Sequence, residues 1–172
     1  MKRAGGALLL LLWLVLAFQK AQAGVAPELF WLCHVTSAML GIGLLFSAQL
    51  LTATALLCQL AIAVPAYALH LATNGDTSPV SFLLHVLAPL FGALAWRDKA
   101  IPLAAPWCGG ALYLGLMAAS YWATPESLNV NLAFRPWGPV AWLGVWPVRL
   151  LNLTLVLGLL HAARLLWNRR AN

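Results

Sequence analysis

The chain has 172 residues, 63% of them hydrophobic and 8% charged, with a formal net charge of +6. A soluble domain carries about 25% charged residues, and a surface with a third of that cannot be kept hydrated, so a water-soluble domain is excluded and lipid is the expected solvent. The positive charge does not point to nucleic acid, because the Lys and Arg residues stand mostly at the ends of apolar runs, where they set topology and meet lipid phosphates.

Lys2 and Arg3 precede an apolar run over 7–18, which is followed by Ala21-Gln22-Ala23. That order of charged, apolar and small residues is that of a secretory signal peptide. It also suits a retained first membrane helix, so residues 1–23 stand as one or the other. Residues 24–172 form the polytopic domain. Apolar runs of about 17–25 residues span a bilayer. They are predicted over 29–47, 50–71, 79–96, 101–122 and 141–167, with Pro147 marking the effective start of the last. The expected fold is all-α, an integral membrane bundle of five to six transmembrane helices. Connections are short except over 123–140, a segment with Pro, Asn, Trp and Gly that is too polar to span; loops of that length often bind or cover a ligand.

With the N-terminus in the cytoplasm, the cytoplasmic segments hold Lys2, Arg3, Arg97, Lys99, Arg164, Arg169 and Arg170, and the outer ones hold Lys20, Arg135 and Arg149. This bias follows the positive-inside rule and predicts a cytoplasmic C-terminus in a bacterial inner membrane. Trp31, Trp122, Trp137, Trp142 and Trp146 are then expected at the outer interface, and Trp96 and Trp167 at the inner one, as interfacial Trp requires.

Cys33, Cys58 and Cys108 all lie inside apolar runs with no C-x-x-C pair, which indicates neither a zinc site nor a disulfide framework. Soluble catalytic motifs such as G-x-S-x-G and H-E-x-x-H are missing. The chemistry is instead expected from polar side chains inside the membrane, which are costly there and default to functional hypotheses. His34, His70 and His85 come from three different helices and fall in the same outer half. His161 falls near the opposite end, where it is expected to cap or snorkel. His34 shares a helical stripe with Ser37, Ala38 and Gly41, and His85 shares one with Pro89 and Gly92. Gln59 and His70, eleven residues apart, are expected on one face with Ala63 and Ala66 between them. Pro89 has no N–H for the carbonyl of His85, which favours a hydrated or liganded pocket. In the long loop, Asn129 and Asn131 could hold a carbonyl or a headgroup, and Arg135 and Arg149 a phosphate or carboxylate. Thr36 and Ser37 are expected to bond the backbone one turn back.

Three strings, Leu29-Phe30-Trp31-Leu32-Cys33-His34, Ser81-Phe82-Leu83-Leu84-His85 with Pro89, and Asn129-Val130-Asn131, resemble a family of small uncharacterised bacterial polytopic membrane proteins. More remotely, the layout is similar to six-helix intramembrane families related to the androgen-induced membrane hydrolases and a transmembrane acyltransferase. That resemblance covers 29–167. It implies action on acyl lipids with a Thr or Cys nucleophile and an intramembrane His. Cys33 neighbours His34 in sequence and so points about 100° away from it on a helix.

The expected function is that of a membrane enzyme or lipid-binding protein whose site opens to the outer leaflet, as an enzyme a lipid-acting hydrolase or acyltransferase. His34 and His85 are its catalytic bases or orienting groups, and His70, Asn129, Asn131, Arg135 and Arg149 bind the substrate, the two amides also stabilising oxyanion charge. The partners are membrane lipids and an amphiphilic substrate, with no nucleic acid. Two alternatives stand beside it. The paired histidines suit haem or a metal bound through two imidazoles, while the lack of intramembrane carboxylates argues against a hard ion. A transport or structural subunit is the other; Glu28, Asp76, Asp98 and Glu126 all fall at helix ends or in loops, which disfavours proton coupling.

Overall fold

The computed structural model describes residues 2–74, 78–135 and 142–171. Asp76, Trp137 and the segment 136–141, where the last apolar run was expected to begin, lie outside the described residues. Every regular element among the described residues is helical.

The Leu-rich N-terminal stretch, free of Pro, forms α1 (Lys2–Gln22). It outruns the 7–18 apolar core because the flanking Lys, Arg, Gln and Ala are good helix formers. Gly24, at φ +73°, ends it in a conformation only Gly adopts freely. A 3₁₀ turn (Ala26–Phe30) with Pro27 in its first turn leads to α2 (Leu32–Phe46). The run expected over 29–47 is therefore broken at Trp31, whose backbone is extended (φ −53°, ψ 134°).

Ser47, at φ 58°, closes α2, and the chain reverses into α3 (Gln49–Cys58). A π turn (Gln59–Ala63) joins α3 to α4 (Val64–Asn74) without a break in the rod. Pro65 accounts for the widened turn. It has no N–H for the carbonyl of Ala61, and the ladder shifts to the five-residue step of Val64 N–H onto the Gln59 carbonyl.

Ser78 caps α5 (Pro79–Trp96), its hydroxyl accepting the Ser81 N–H at 3.1 Å. α6 (Ala104–Ala123) starts three residues later than expected, after Pro102. Two short 3₁₀ turns (Glu126–Leu128 and Val130–Leu132) follow, and α7 (Val145–Ala171) begins two residues before Pro147, which sits harmlessly in its first turn.

Four of these rods are long and apolar enough to cross a membrane: α1, the α3–α4 rod over Gln49–Thr73, α5 and α7. α2 is apolar but has only 15 residues. α6 has 20 residues and no charge, but its Gly, Trp and Tyr content dilutes its hydropathy.

The packing is centred on α2, α3 and α5. α1 lies along α2 and α5, and α6 lies between α3 and α7. Leu9, Leu40, Leu56, Leu84 and Leu160, from five helices, are fully buried in one core. Glycines set the closest approaches: a Cβ on Gly6 would stand 2.7 Å from the Gly41 carbonyl of α2, and one on Gly92 would stand 2.9 Å from Leu56. This is the small-residue contact by which apolar helices bring their backbones together. Outward, Leu11, Leu14, Phe18, Leu150 and Leu155 are all exposed, a pattern suited to a lipid solvent.

The two ends differ in charge. Lys2, Arg3, Arg97, Lys99, Arg164, Arg169 and Arg170 gather at one end, where Asp98 is the acidic residue; Lys20, Arg135 and Arg149 lie at the other. At the basic end the α5–α6 connection is clamped to α7. Asn168 accepts from the Ile101 N–H at 2.7 Å and donates to the Ile101 carbonyl at 3.1 Å, Arg164 donates to that same carbonyl at 3.0 Å, and the Trp167 indole donates to Lys99 at 3.1 Å. Trp96 lies at this basic end and is buried within the bundle, with Lys99 above its ring. Trp122, Trp142 and Trp146 are exposed at the other end.

Candidate functional site

His34 opens the first turn of α2 and His85 lies in the second turn of α5. Both are buried, with ring centroids 6.1 Å apart and planes at 71°. The expected convergence of these two residues is present.

Each ring is held the same way. His34 Nδ1 lies 2.9 Å from the Glu28 carbonyl and His85 Nδ1 lies 2.8 Å from the Ser81 carbonyl. A carbonyl oxygen only accepts, so both Nδ1 atoms carry the proton and both Nε2 atoms present a lone pair when the ring is neutral. The same anchoring orients imidazole bases and metal-ligating imidazoles. The Nε2 of His85 is buried and meets no hydrogen-bond partner among the described residues. A buried acceptor without a partner is costly, and this one sits beside a second imidazole.

Tyr67 completes the cluster. Its ring stacks on His85 with centroids 3.7 Å apart and planes at 7°, and it lies 6.2 Å from the ring of His70. His70 itself is exposed. The expectation that Gln59 and His70 share one interior face does not hold, and the π turn is the reason. One extra residue in the turn rotates everything after it by about 100°. Gln59 and Ala63 are buried, Ala66 and His70 turn outward, and Tyr67 comes against His85 instead.

Gln59 supports the first turns of α2. Its amide nitrogen lies 2.9 Å from each of the Cys33 carbonyl, the Thr36 hydroxyl and the Ser37 hydroxyl. Thr36 and Ser37 in turn donate to the carbonyls of Leu32 and Cys33, at 2.7 and 2.8 Å, as expected for membrane hydroxyls. Those protons are committed to the backbone, so neither hydroxyl is poised as an activated nucleophile.

The long loop reaches this end of the bundle through Asn131, which is buried. Its amide oxygen accepts the Leu32 N–H at 3.0 Å, and its nitrogen donates to the Phe30 carbonyl at 2.8 Å and the Ser120 hydroxyl at 3.0 Å. Asn131 thereby ties the α6 end to the backbone two residues before His34. Asn129 folds the loop on itself, accepting from Phe134 and Arg135 at 3.0 and 2.9 Å and donating to the Arg135 carbonyl at 3.0 Å. Arg135 donates to the Glu126 carbonyl at 3.3 Å. Arg149 donates to the Ala133 carbonyl and lies over the rings of Tyr121 and Trp146, at 5.6 and 4.8 Å. Any use of the two amides on a substrate would exchange bonds that now hold the loop. Lys20 pairs with Glu28, whose carbonyl anchors His34.

His161 neither caps nor snorkels. It is half-buried at mid-α7, edge-on to Trp107 with centroids 5.0 Å apart. Among the described residues, no three of His, Cys, Asp and Glu converge as a metal set. The cysteines are free, Cys58 buried and Cys33 and Cys108 half-buried.

Tyr67 is the member of the cluster that the sequence did not single out; Pro65, two residues before it, was the available sign of an irregular turn. No family model matches the chain, and no curated protein or solved structure is similar to it, which leaves the resemblance carried by its short motifs neither supported nor opposed.

Proposed function

We propose that the chain is an integral membrane bundle of five to six spans whose His34–His85 site, open to the outer leaflet, acts on an acyl lipid or a similar amphiphile as a hydrolase or acyltransferase. The observation that carries it is the pair of buried imidazoles, each with Nδ1–H spent on a backbone carbonyl and its Nε2 left as a base. α2 and α6 supply the fifth and sixth spans: α6, with 20 residues, is about 30 Å long, and α2 is extended by the turn before it. The charge bias supports a cytoplasmic basic end.

The chemistry follows from the tautomer. A water or alcohol hydroxyl bonded to His85 Nε2 loses its proton to that nitrogen as its oxygen attacks the ester carbonyl. The tetrahedral intermediate collapses, the ester C–O bond breaks, and the leaving alkoxide takes the proton back from the imidazolium. His34 orients the hydroxyl or holds the developing charge. Thr36 and Ser37 donate to the backbone and Cys33 is not aligned with the pair, so the nucleophile is external.

In lipid nanodiscs, the purified chain should release fatty acid from phospholipid or transfer it to an added alcohol, read by mass spectrometry. His34→Ala and His85→Ala should each lower that rate by about 10²–10⁴-fold, the range for a lost acid–base group, while insertion is unchanged; His161→Ala should stay near wild type. Equal rates in all three variants would sink the assignment. Because both rings are anchored as metal ligands are, a second reading is ligation of haem or a soft metal by the two Nε2 atoms. A Soret band or stoichiometric metal in the purified protein, lost in either variant, would favour it.

Topology has its own check. In a chain whose native cysteines are replaced by Ala, Arg135→Cys should label only from outside and Lys99→Cys only from inside. Labelling of both from one side would overturn the orientation.

A further inference from the structure

At the basic end, α5 and α7 leave a groove of about 300 Å³ lined by Leu90, Ala93, Leu94, Arg97, Trp167 and Arg170. The α5 residues recur at three and four positions, and so form one stripe on that helix. The stripe is apolar for about one turn, from Leu90 to Leu94, and ends in Arg97. Across from it, Trp167 and Arg170 are one turn apart on α7. Leu90 and Leu94 remain exposed, so their side chains meet the surrounding solvent rather than a neighbouring helix. Arg97 also pairs through Nε with Asp98 at 2.9 Å, but both side chains are more than 70% exposed, and such pairs contribute little.

We infer that this groove binds one anionic phospholipid, with its phosphate between Arg97 and Arg170 and an acyl chain along Leu90, Ala93 and Leu94. The inference rests on the membrane reading of the bundle and not on the histidine chemistry. Charge complementarity selects the occupant. Among the described residues, seven cationic side chains and one acidic side chain lie at this end, arginine pairs with phosphate in bidentate geometry, and an indole at the groove wall suits the headgroup level. Basic pockets between membrane helices are recognised headgroup sites. A soluble anion would gain nothing from the apolar stripe, whereas a zwitterionic lipid brings the same phosphate together with an ammonium group that the two arginines repel.

The test is native mass spectrometry of the full chain in detergent, titrated with dioleoyl phosphatidylglycerol or dioleoyl phosphatidylcholine. Phosphatidylglycerol should be retained as a single copy about thirtyfold more strongly, in line with two basic residues near a headgroup. Arg97→Gln with Arg170→Gln should abolish that preference. Arg3→Gln with Arg169→Gln removes the same charge from the same end and should preserve it. Ala93→Trp, which fills the groove and keeps both arginines, should also weaken retention, and excess inorganic phosphate should not compete. Equal retention of the two lipids, equal loss in both charge pairs, or displacement by phosphate would each overturn the site. A chain that retains neither lipid and leaves the membrane fraction would instead overturn the membrane reading beneath it.

Discussion

Asn131→Ala should destabilise the protein by about 3 kcal/mol, because two buried groups and one half-buried carbonyl lose their hydrogen-bond partner at once. The Leu32 N–H, the Phe30 carbonyl and the Ser120 hydroxyl all meet this one amide. A second cost falls on the backbone. Asn131 sits at φ 53°, where Asn is tolerated and Ala pays about 1 kcal/mol or more. Asn131→Gly separates the two: it loses the same bonds without the backbone strain, and should be milder than Ala by about that amount. Unfolding of the purified chain in micelles, followed by circular dichroism, measures both. Asn129→Ala should cost less, since two of its three bonds are exposed and all are local to the loop. An Asn131→Ala variant as stable as wild type would mean that the loop does not hold the first turn of α2, and with it the backbone near His34.

Gly6→Leu should cost about 1–3 kcal/mol, the range for overpacking a tight contact. The added Cβ would stand 2.7 Å from the Gly41 carbonyl, 2.8 Å from the Leu45 nitrogen and 3.1 Å from the Leu44 Cβ. Two of these are backbone atoms of α2, which no rotamer change can move aside, so α1 must lift away. Gly158→Leu is the control, because nothing lies within 4 Å of its Cβ direction. The same micelle unfolding compares them, with intact mass reporting whether residues 1–23 are present. If they are present and Gly6→Leu is silent, the α1–α2 contact is wrong. If they have been removed, the N-terminal stretch behaves as the signal peptide that its composition equally allows.

The sequence by itself determined what local and averaged properties control. Too few charges for water, apolar runs of spanning length and a skewed distribution of Lys and Arg are additive along the chain, so an all-helical protein with membrane-compatible rods was legible, and the 79–96 helix matches residue for residue. The pairing of His34 with His85 was legible for a related reason: helix direction gives depth, and small-residue stripes give the interior face. Tertiary structure decided the rest wherever one residue changes a phase or a partner. The π turn at Gln59–Ala63 rotates α4, turning His70 outward and bringing Tyr67 onto His85; periodicity counted at 3.6 residues per turn cannot register an extra residue. The break at Trp31 shortened α2 because ψ at one position, not hydropathy, ends a helix. Asn129 and Asn131, alike in sequence, separated into a loop clamp and a buried tether, since what an amide binds depends on which backbone groups the fold leaves unpaired beside it.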